Sequence, residues 1–60
     1  MDNMEIAKKA VAIAYMILNS AKGLKSDVRF EHDLNVKQEA QDIAEECAEL
    51  SNLILPMRFA

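Results

Sequence analysis

Apolar positions in the first third of the chain recur with the period of an α-helix. Asp2 and Glu5 have the D-x-x-E spacing of a capping box, in which the aspartate side chain accepts from the amide of the glutamate. No helix-breaking residue follows until Gly23, where a C′ glycine would end the helix in a Schellman motif. The pattern predicts a first helix over about residues 3–22.

A second helical pattern fills the C-terminal half of the chain. Asn35 can cap this helix with Gln38 as its capping-box partner, and Asp33 is the alternative cap. Pro56 disfavours helix in the residue before it, so the helix is predicted over about residues 36–55. Residues 23–35 are then a loop and residues 56–60 an apolar tail. The whole chain, residues 1–60, is predicted to be one all-α domain, a helical hairpin of two long antiparallel helices.

The first helix carries two apolar rows where a simple hairpin needs one. The first row is Met4, Ala7, Val11, Ala14, Leu18 and Ala21, and the second row is Ile6, Ala10, Ile13 and Ile17. Together they cover about 180° of the helix surface, whereas packing on one neighbour needs a stripe of only ~100°. We therefore predict a homodimer in which two hairpins form a four-helix bundle. The alternative is that the loop and the tail fold back over the uncovered row.

The second helix has a heptad seam with steps of four and three: Val36, Ala40, Ile43, Cys47, Leu50 and Ile54. The predicted dimer core draws on both helices and consists of Ile6, Val11, Ile13, Ile17, Leu18, Ile43, Cys47, Leu50 and Ile54. A chain of this length buries only about 60% of its unfolded surface, so a second chain would also compensate for a small core.

Composition restricts the other ways in which the fold could be stabilised and the functions that it could have. The single cysteine excludes an intrachain disulfide and is typical of a reducing compartment. One Cys and one His cannot complete a zinc site, and no metal or cofactor is predicted. A net charge of −3 argues against nucleic acid as a partner. The longest apolar run, residues 10–18, is too short to span a membrane, and the N-terminus lacks the pattern of a signal peptide, so we expect a cytoplasmic location.

Two surface features are candidates for partner binding. Four carboxylates at helical spacing, Glu39, Asp42, Glu46 and Glu49, form an acidic stripe that either keeps the protein soluble or docks a basic partner. Leu55, Met57 and Phe59 make the tail apolar, so that it either caps the dimer or binds another molecule. We therefore expect a non-catalytic protein-binding module acting as a regulator, inhibitor or assembly subunit. In size and style the chain resembles accessory proteins of phages and mobile elements.

One local motif suggests an enzyme instead. Residues 45–49, Glu-Glu-Cys-Ala-Glu, resemble the E-E-x-x-E pattern of the all-α, MazG-like nucleoside triphosphate pyrophosphohydrolases. The resemblance implies helix carboxylates that hold Mg²⁺ against the phosphates of a nucleotide. The downstream E-x-x-D helix of that family has no counterpart, because residues 50–60 contain no acidic residue. The Glu39–Asp42 pair has this spacing but lies upstream, so the resemblance would describe a truncated enzyme.

The size and hairpin pattern also resemble the Rop-like plasmid copy-number proteins, which are helical-hairpin dimers that bind paired RNA loops. The resemblance implies RNA contacts from polar residues of the first helix, which are here Lys8, Lys9, Asn19 and Lys22. This helix carries few positive charges and the second is acidic, which favours solvation as the role of these lysines.

Overall fold

Two antiparallel helices packed along their lengths make up the fold. A computed structural model describes residues 2–57 and contains α1 (Asn3–Arg29) and α2 (Asp33–Ile54), joined by residues 30–32. The molecule is a rod of 47 × 15 × 14 Å. The predicted all-α helical hairpin is therefore confirmed.

The first helix starts as predicted and ends later than predicted. The Asp2 side chain accepts a hydrogen bond of 2.8 Å from the Glu5 amide, which confirms the N-cap. Gly23 does not end the helix, because α1 continues for almost two further turns to Arg29. In those turns Leu24 and Asp27 are half-buried, and this packing outweighs the ~1 kcal/mol that glycine costs inside a helix. The predicted loop over residues 23–35 is thus wrong in extent.

The Schellman motif lies at the end of α1, eight residues beyond the predicted position. The His32 amide donates to the Asp27 carbonyl at 2.9 Å, and the Glu31 amide donates to the Val28 carbonyl at 3.2 Å. Glu31 occupies the left-handed position with φ 58°, where glycine is the usual residue. The His32 ring nitrogen Nδ1 lies 3.3 Å from Oδ1 of Asp27 and links the two ends of the motif.

The second helix begins at Asp33, three residues before the predicted start at residue 36. His32 is its N-cap residue and makes no side-chain capping bond, while Asn35 lies within the first turn. The Val36 amide donates to the His32 carbonyl at 2.9 Å, which continues the chain directly from the Schellman motif into α2. The C-terminal end falls at Ile54, one residue before the predicted end and two before Pro56, as expected for a helix that precedes proline.

The α1–α2 interface contains the second apolar row of α1. Within residues 2–57, the only buried side chains are Ile6 and Ile13, which are 1% and 8% exposed. On α2 the half-buried positions that step by three and four are Val36, Glu39, Ile43, Glu46, Leu50 and Leu53. Every second residue of the predicted seam is therefore outside the interface: Ala40, Cys47 and Ile54 are exposed in the hairpin. Glu39, Glu46 and Leu53 take their places at the interface.

Candidate interaction surfaces

The first apolar row of α1 is not covered by α2. Met4, Val11, Ala14 and Leu18 are exposed, with 46% of the Leu18 surface open. The described loop and tail do not fold over this row, because the connection is only residues 30–32 and Leu55 is 75% exposed. The row therefore remains an uncovered apolar strip along most of α1.

A second uncovered strip runs along α2. It consists of Ala40, Ala44, Cys47, Ser51 and Ile54, all exposed in the hairpin. Successive residues of a helix are rotated by about 100° around its axis. On this basis, the centre of each strip is rotated roughly 70–110° around its helix from the α1–α2 interface. On both helices this rotation is in the direction of increasing residue number. Because the two helices run in opposite directions, the same sense of rotation turns both strips to one side of the hairpin. We call the combined surface the apolar face.

The predicted dimer core divides between the hairpin interface and the apolar face. Ile6 and Ile13 are buried, and Ile17, Ile43 and Leu50 half-buried, within the single chain. The other four predicted core residues, which are exposed on the apolar face, are Val11, Leu18, Cys47 and Ile54. The hairpin alone therefore shelters only part of the predicted core.

The acidic stripe is not uniform. Glu49 is exposed, as is neighbouring Glu45, whereas Glu39, Asp42 and Glu46 are half-buried. Exposed Gln38 donates to Asp42 Oδ1 at 3.0 Å along the helix. Near the middle of the hairpin, a groove of about 360 Å³ is lined by Met16, Ser20, Asp42, Glu45, Glu46 and Glu49. This groove lies on the side of the hairpin opposite the apolar face, so the outward carboxylates form a separate acidic face.

Two carboxylates of the acidic stripe contact residues of α1. The Ser20 hydroxyl donates a hydrogen bond of 2.7 Å to Oε1 of Glu46, and this bond is partly buried. The Glu39 carboxylate packs on Gly23, since a Cβ built there would lie 3.1 Å from Cδ of Glu39. These contacts join residues more than fifteen positions apart, and no local pattern in α2 indicates them. Glu39 and Glu46 thus help to set the α1–α2 interface.

The apolar tail is described only in part. Leu55 is strongly exposed, while Met57 is half-buried and its amide donates to the Ile54 carbonyl at 3.0 Å. The third predicted tail residue, Phe59, lies outside the described residues. Within residues 2–57, the tail therefore offers Leu55 as its accessible apolar side chain.

The structure also describes the residues that RNA binding or nucleotide hydrolysis would use. Lys8, Lys9, Asn19 and Lys22 are exposed, as an RNA-contacting or solvating role would need. Glu45, Glu46 and Glu49 of the E-E-x-x-E motif border the acidic groove. Among residues 2–57, no three His, Cys, Asp or Glu side chains come together to hold a metal ion. In the same part of the chain, neither helix has an apolar stretch long enough to traverse a lipid bilayer.

No protein-family model matches this chain, and no curated protein or solved structure is significantly similar to it.

Proposed function

We propose that the protein is a non-catalytic binding module that works as a homodimer. Two hairpins bury their apolar faces against each other in a four-helix bundle, and the acidic face of each remains outward to dock a partner protein with a basic surface. The observation that carries the proposal is the separation of the two faces on opposite sides of one hairpin. The apolar face is suited to self-association, and the acidic face is suited to electrostatic recognition of a basic partner.

The surface area supports the dimer. A folded monomer of 6.7 kDa exposes on the order of 3,900 Å² by the scaling of area with mass. The hairpin exposes 4878 Å², about 1,000 Å² more than that scaling gives. A stable interface buries about 800 Å² on each partner, so this elongated hairpin exposes enough surface for one dimer contact.

A pair of substitutions tests the dimer with a control matched in exposure. Leu18 on the apolar face and Met16 beside the acidic groove are 46% and 48% exposed in the hairpin. Leu18→Gln places an amide in the proposed dimer contact and should weaken dimerisation at least tenfold in sedimentation equilibrium, while Met16→Gln should leave it unchanged. A native chain that sediments as a monomer at micromolar concentration would overturn the dimer.

The acidic face is tested by removing the same number of charges at two places. Glu45 and Glu49 are exposed on the acidic face, whereas Glu5 and Glu31 are exposed elsewhere. A protein captured from a lysate of the source organism by the native chain should be lost with Glu45→Gln/Glu49→Gln. The Glu5→Gln/Glu31→Gln control should retain it. Equal capture by both variants would reduce the acidic face to a solvating surface.

A further inference from the structure

We infer that the acidic face binds a segment of the partner protein that carries a large apolar side chain beside basic residues. The apolar side chain fills a groove between the two helices, and the basic residues lie along the neighbouring carboxylates on the side toward the turn. This inference rests on the proposed function, because it specifies which part of a basic partner the acidic face recognises.

The groove lies between α1 and α2 toward the end of the hairpin opposite the turn, and we call it the open-end groove. Its volume is about 500 Å³, within the range of roughly 300–1,000 Å³ that is typical of ligand sites. Its larger apolar lining residues are Ile13, which is 8% exposed, and half-buried Leu53. The full set of lining residues is Lys9, Ala12, Ile13, Glu49, Asn52 and Leu53. An apolar recess between two helices can take the large anchor side chain on which much of the affinity of a protein interface depends.

The two ends of the open-end groove carry opposite charges. Lys9 borders the groove on the side away from the turn, and Glu49 borders it on the side toward the turn. Both side chains are exposed, and within residues 2–57 neither forms an ion pair. A bound segment therefore meets a cation on one side of its apolar anchor and a carboxylate on the other, which determines where its own basic residues lie.

The carboxylates continue beyond the open-end groove. Glu49 also borders the acidic groove, so the two grooves form one path along the acidic face. Toward the turn this path passes Glu45 and Asp42, and the described residues that line the acidic groove include no lysine or arginine. From Leu53 to Asp42 the path is ~16 Å long at the helical rise of ~1.5 Å per residue. This length fits a segment of polypeptide with basic side chains, because one small molecule would not reach both the apolar recess and the far carboxylates.

The turn of a second copy has part of this chemistry but also repels the acidic face. Phe30 is 60% exposed there, and the Arg29 guanidinium lies 5.5 Å from the centroid of its ring. Glu31 and Asp33 are exposed beside Phe30. Insertion of this turn into the open-end groove would bring their carboxylates toward those of the acidic groove. A partner segment without acidic residues avoids this repulsion.

Selection of random peptides displayed on phage, with the native chain as the immobilised target, tests the chemistry of the occupant. Enriched peptides should share one large apolar position with Lys or Arg near it. Basic peptides without a common apolar position would overturn the anchor in the groove while leaving the acidic face as a docking surface. A selection that enriches no peptide would also overturn the anchor, whereas the proposed function is decided separately by sedimentation and by the capture of a partner from the lysate.

A matched pair of alanines tests whether the selected peptide occupies the open-end groove. Ala12 lines this groove, whereas Ala48 is also exposed but lines neither groove. Ala12→Trp fills the recess and should weaken peptide binding about tenfold or more in isothermal titration calorimetry, while Ala48→Trp should leave it unchanged. Both variants should sediment as the native chain does. Equal peptide affinities of the two variants would overturn the inference.

A charge exchange tests the order of charges along the groove without substituting an apolar residue. Lys9→Glu/Glu49→Lys keeps the net charge of −3 but reverses the charges at the two ends of the open-end groove. Binding of the selected peptide should weaken about tenfold or more, because its basic residues then meet a lysine. The control Lys8→Glu/Glu31→Lys exchanges exposed charges outside both grooves and should keep the native affinity. Unchanged binding by both double variants would mean that overall charge alone attracts the peptide, and would overturn the inference.

Two other occupants would be recognised by their own results. Tighter peptide binding by the Phe59→Ala chain would assign the open-end groove to residues 58–60 of the same chain. Association of native dimers into larger species that Phe30→Ser abolishes would assign it to a second copy. Either result overturns the partner segment.

Discussion

The two halves of the α1–α2 interface differ in chemistry. Toward the open end, opposite the turn, Ile6 and Ile13 are the buried residues and Leu50 and Leu53 are half-buried. Toward the turn, no described side chain is fully buried, and half-buried Leu24, Val36 and Ile43 lie among polar contacts that include the Ser20–Glu46 bond and the Asp27–His32 contact. The turn already holds the helices together at that end, so little apolar burial is needed there, whereas the open end depends on it.

The comparison predicts its largest effect at the open half. Ile13→Ala removes a buried side chain and should lower the free energy of unfolding by about 3 kcal/mol, measured by urea denaturation at fixed protein concentration. Leu34→Ala is the control, because Leu34 is 87% exposed near the turn and its truncation should cost almost nothing. Equal losses from both variants would contradict an interface that depends on its apolar half.

The turn half should gain stability from a backbone change. Glu31 holds a left-handed conformation at φ 58°, which costs an ordinary residue about 1 kcal/mol relative to glycine. Glu31→Gly should therefore raise the free energy of unfolding by about 1 kcal/mol in the same urea experiment. Glu31→Ala removes the charge but keeps the backbone cost, so a similar gain from alanine would show that the charge was responsible.

The polar contact between the helices should be worth less than an apolar one. Ser20→Ala leaves the half-buried Glu46 carboxylate without its hydroxyl donor and should cost about 1 kcal/mol. The Gln38–Asp42 bond is exposed and lies within one helix, so Gln38→Ala should cost no more than about 0.5 kcal/mol. A double-mutant cycle with Ser20→Ala and Glu46→Gln isolates the contact, and zero coupling would mean that it adds nothing to stability.

The smallest predicted change in the free energy of unfolding is at Gly23, which contacts the Glu39 carboxylate. Gly23 has a helical backbone, so Gly23→Ala gains helix propensity, while its new methyl group would lie 3.1 Å from Cδ of Glu39. The carboxylate is the end of a flexible, half-buried side chain and can move by a few tenths of an ångström. We expect a net gain of about 0.5 kcal/mol in thermal or urea unfolding. A loss of stability would show that Glu39 is held in place at this contact.

The sequence was sufficient for features that depend on neighbouring residues. The Asp2 cap, the helical period of both segments and the end of α2 before Pro56 all follow from local chemistry and agree with the structure. The sequence also predicted that α1 carries more apolar surface than one partner helix covers, and the hairpin leaves Val11 and Leu18 exposed.

Features that depend on contacts between the helices were missed. Gly23 was predicted to stop α1, but it accommodates the Glu39 carboxylate and the helix continues. The seam of α2 was assigned to Ala40 and Cys47 because they continue the heptad spacing of the apolar residues. Glu39 and Glu46 take the interface positions because they are only half-buried and because α1 supplies a glycine and a hydroxyl opposite them. Those partners lie on the other helix, where a local pattern cannot reveal them.

The short connection also determines how the hairpin forms and opens. Residues 30–32 require little loop-closure entropy, so the first contacts between the helices should form beside the turn and zip toward the termini. The turn half then nucleates the structure, while the open half closes last and supplies most of the stability.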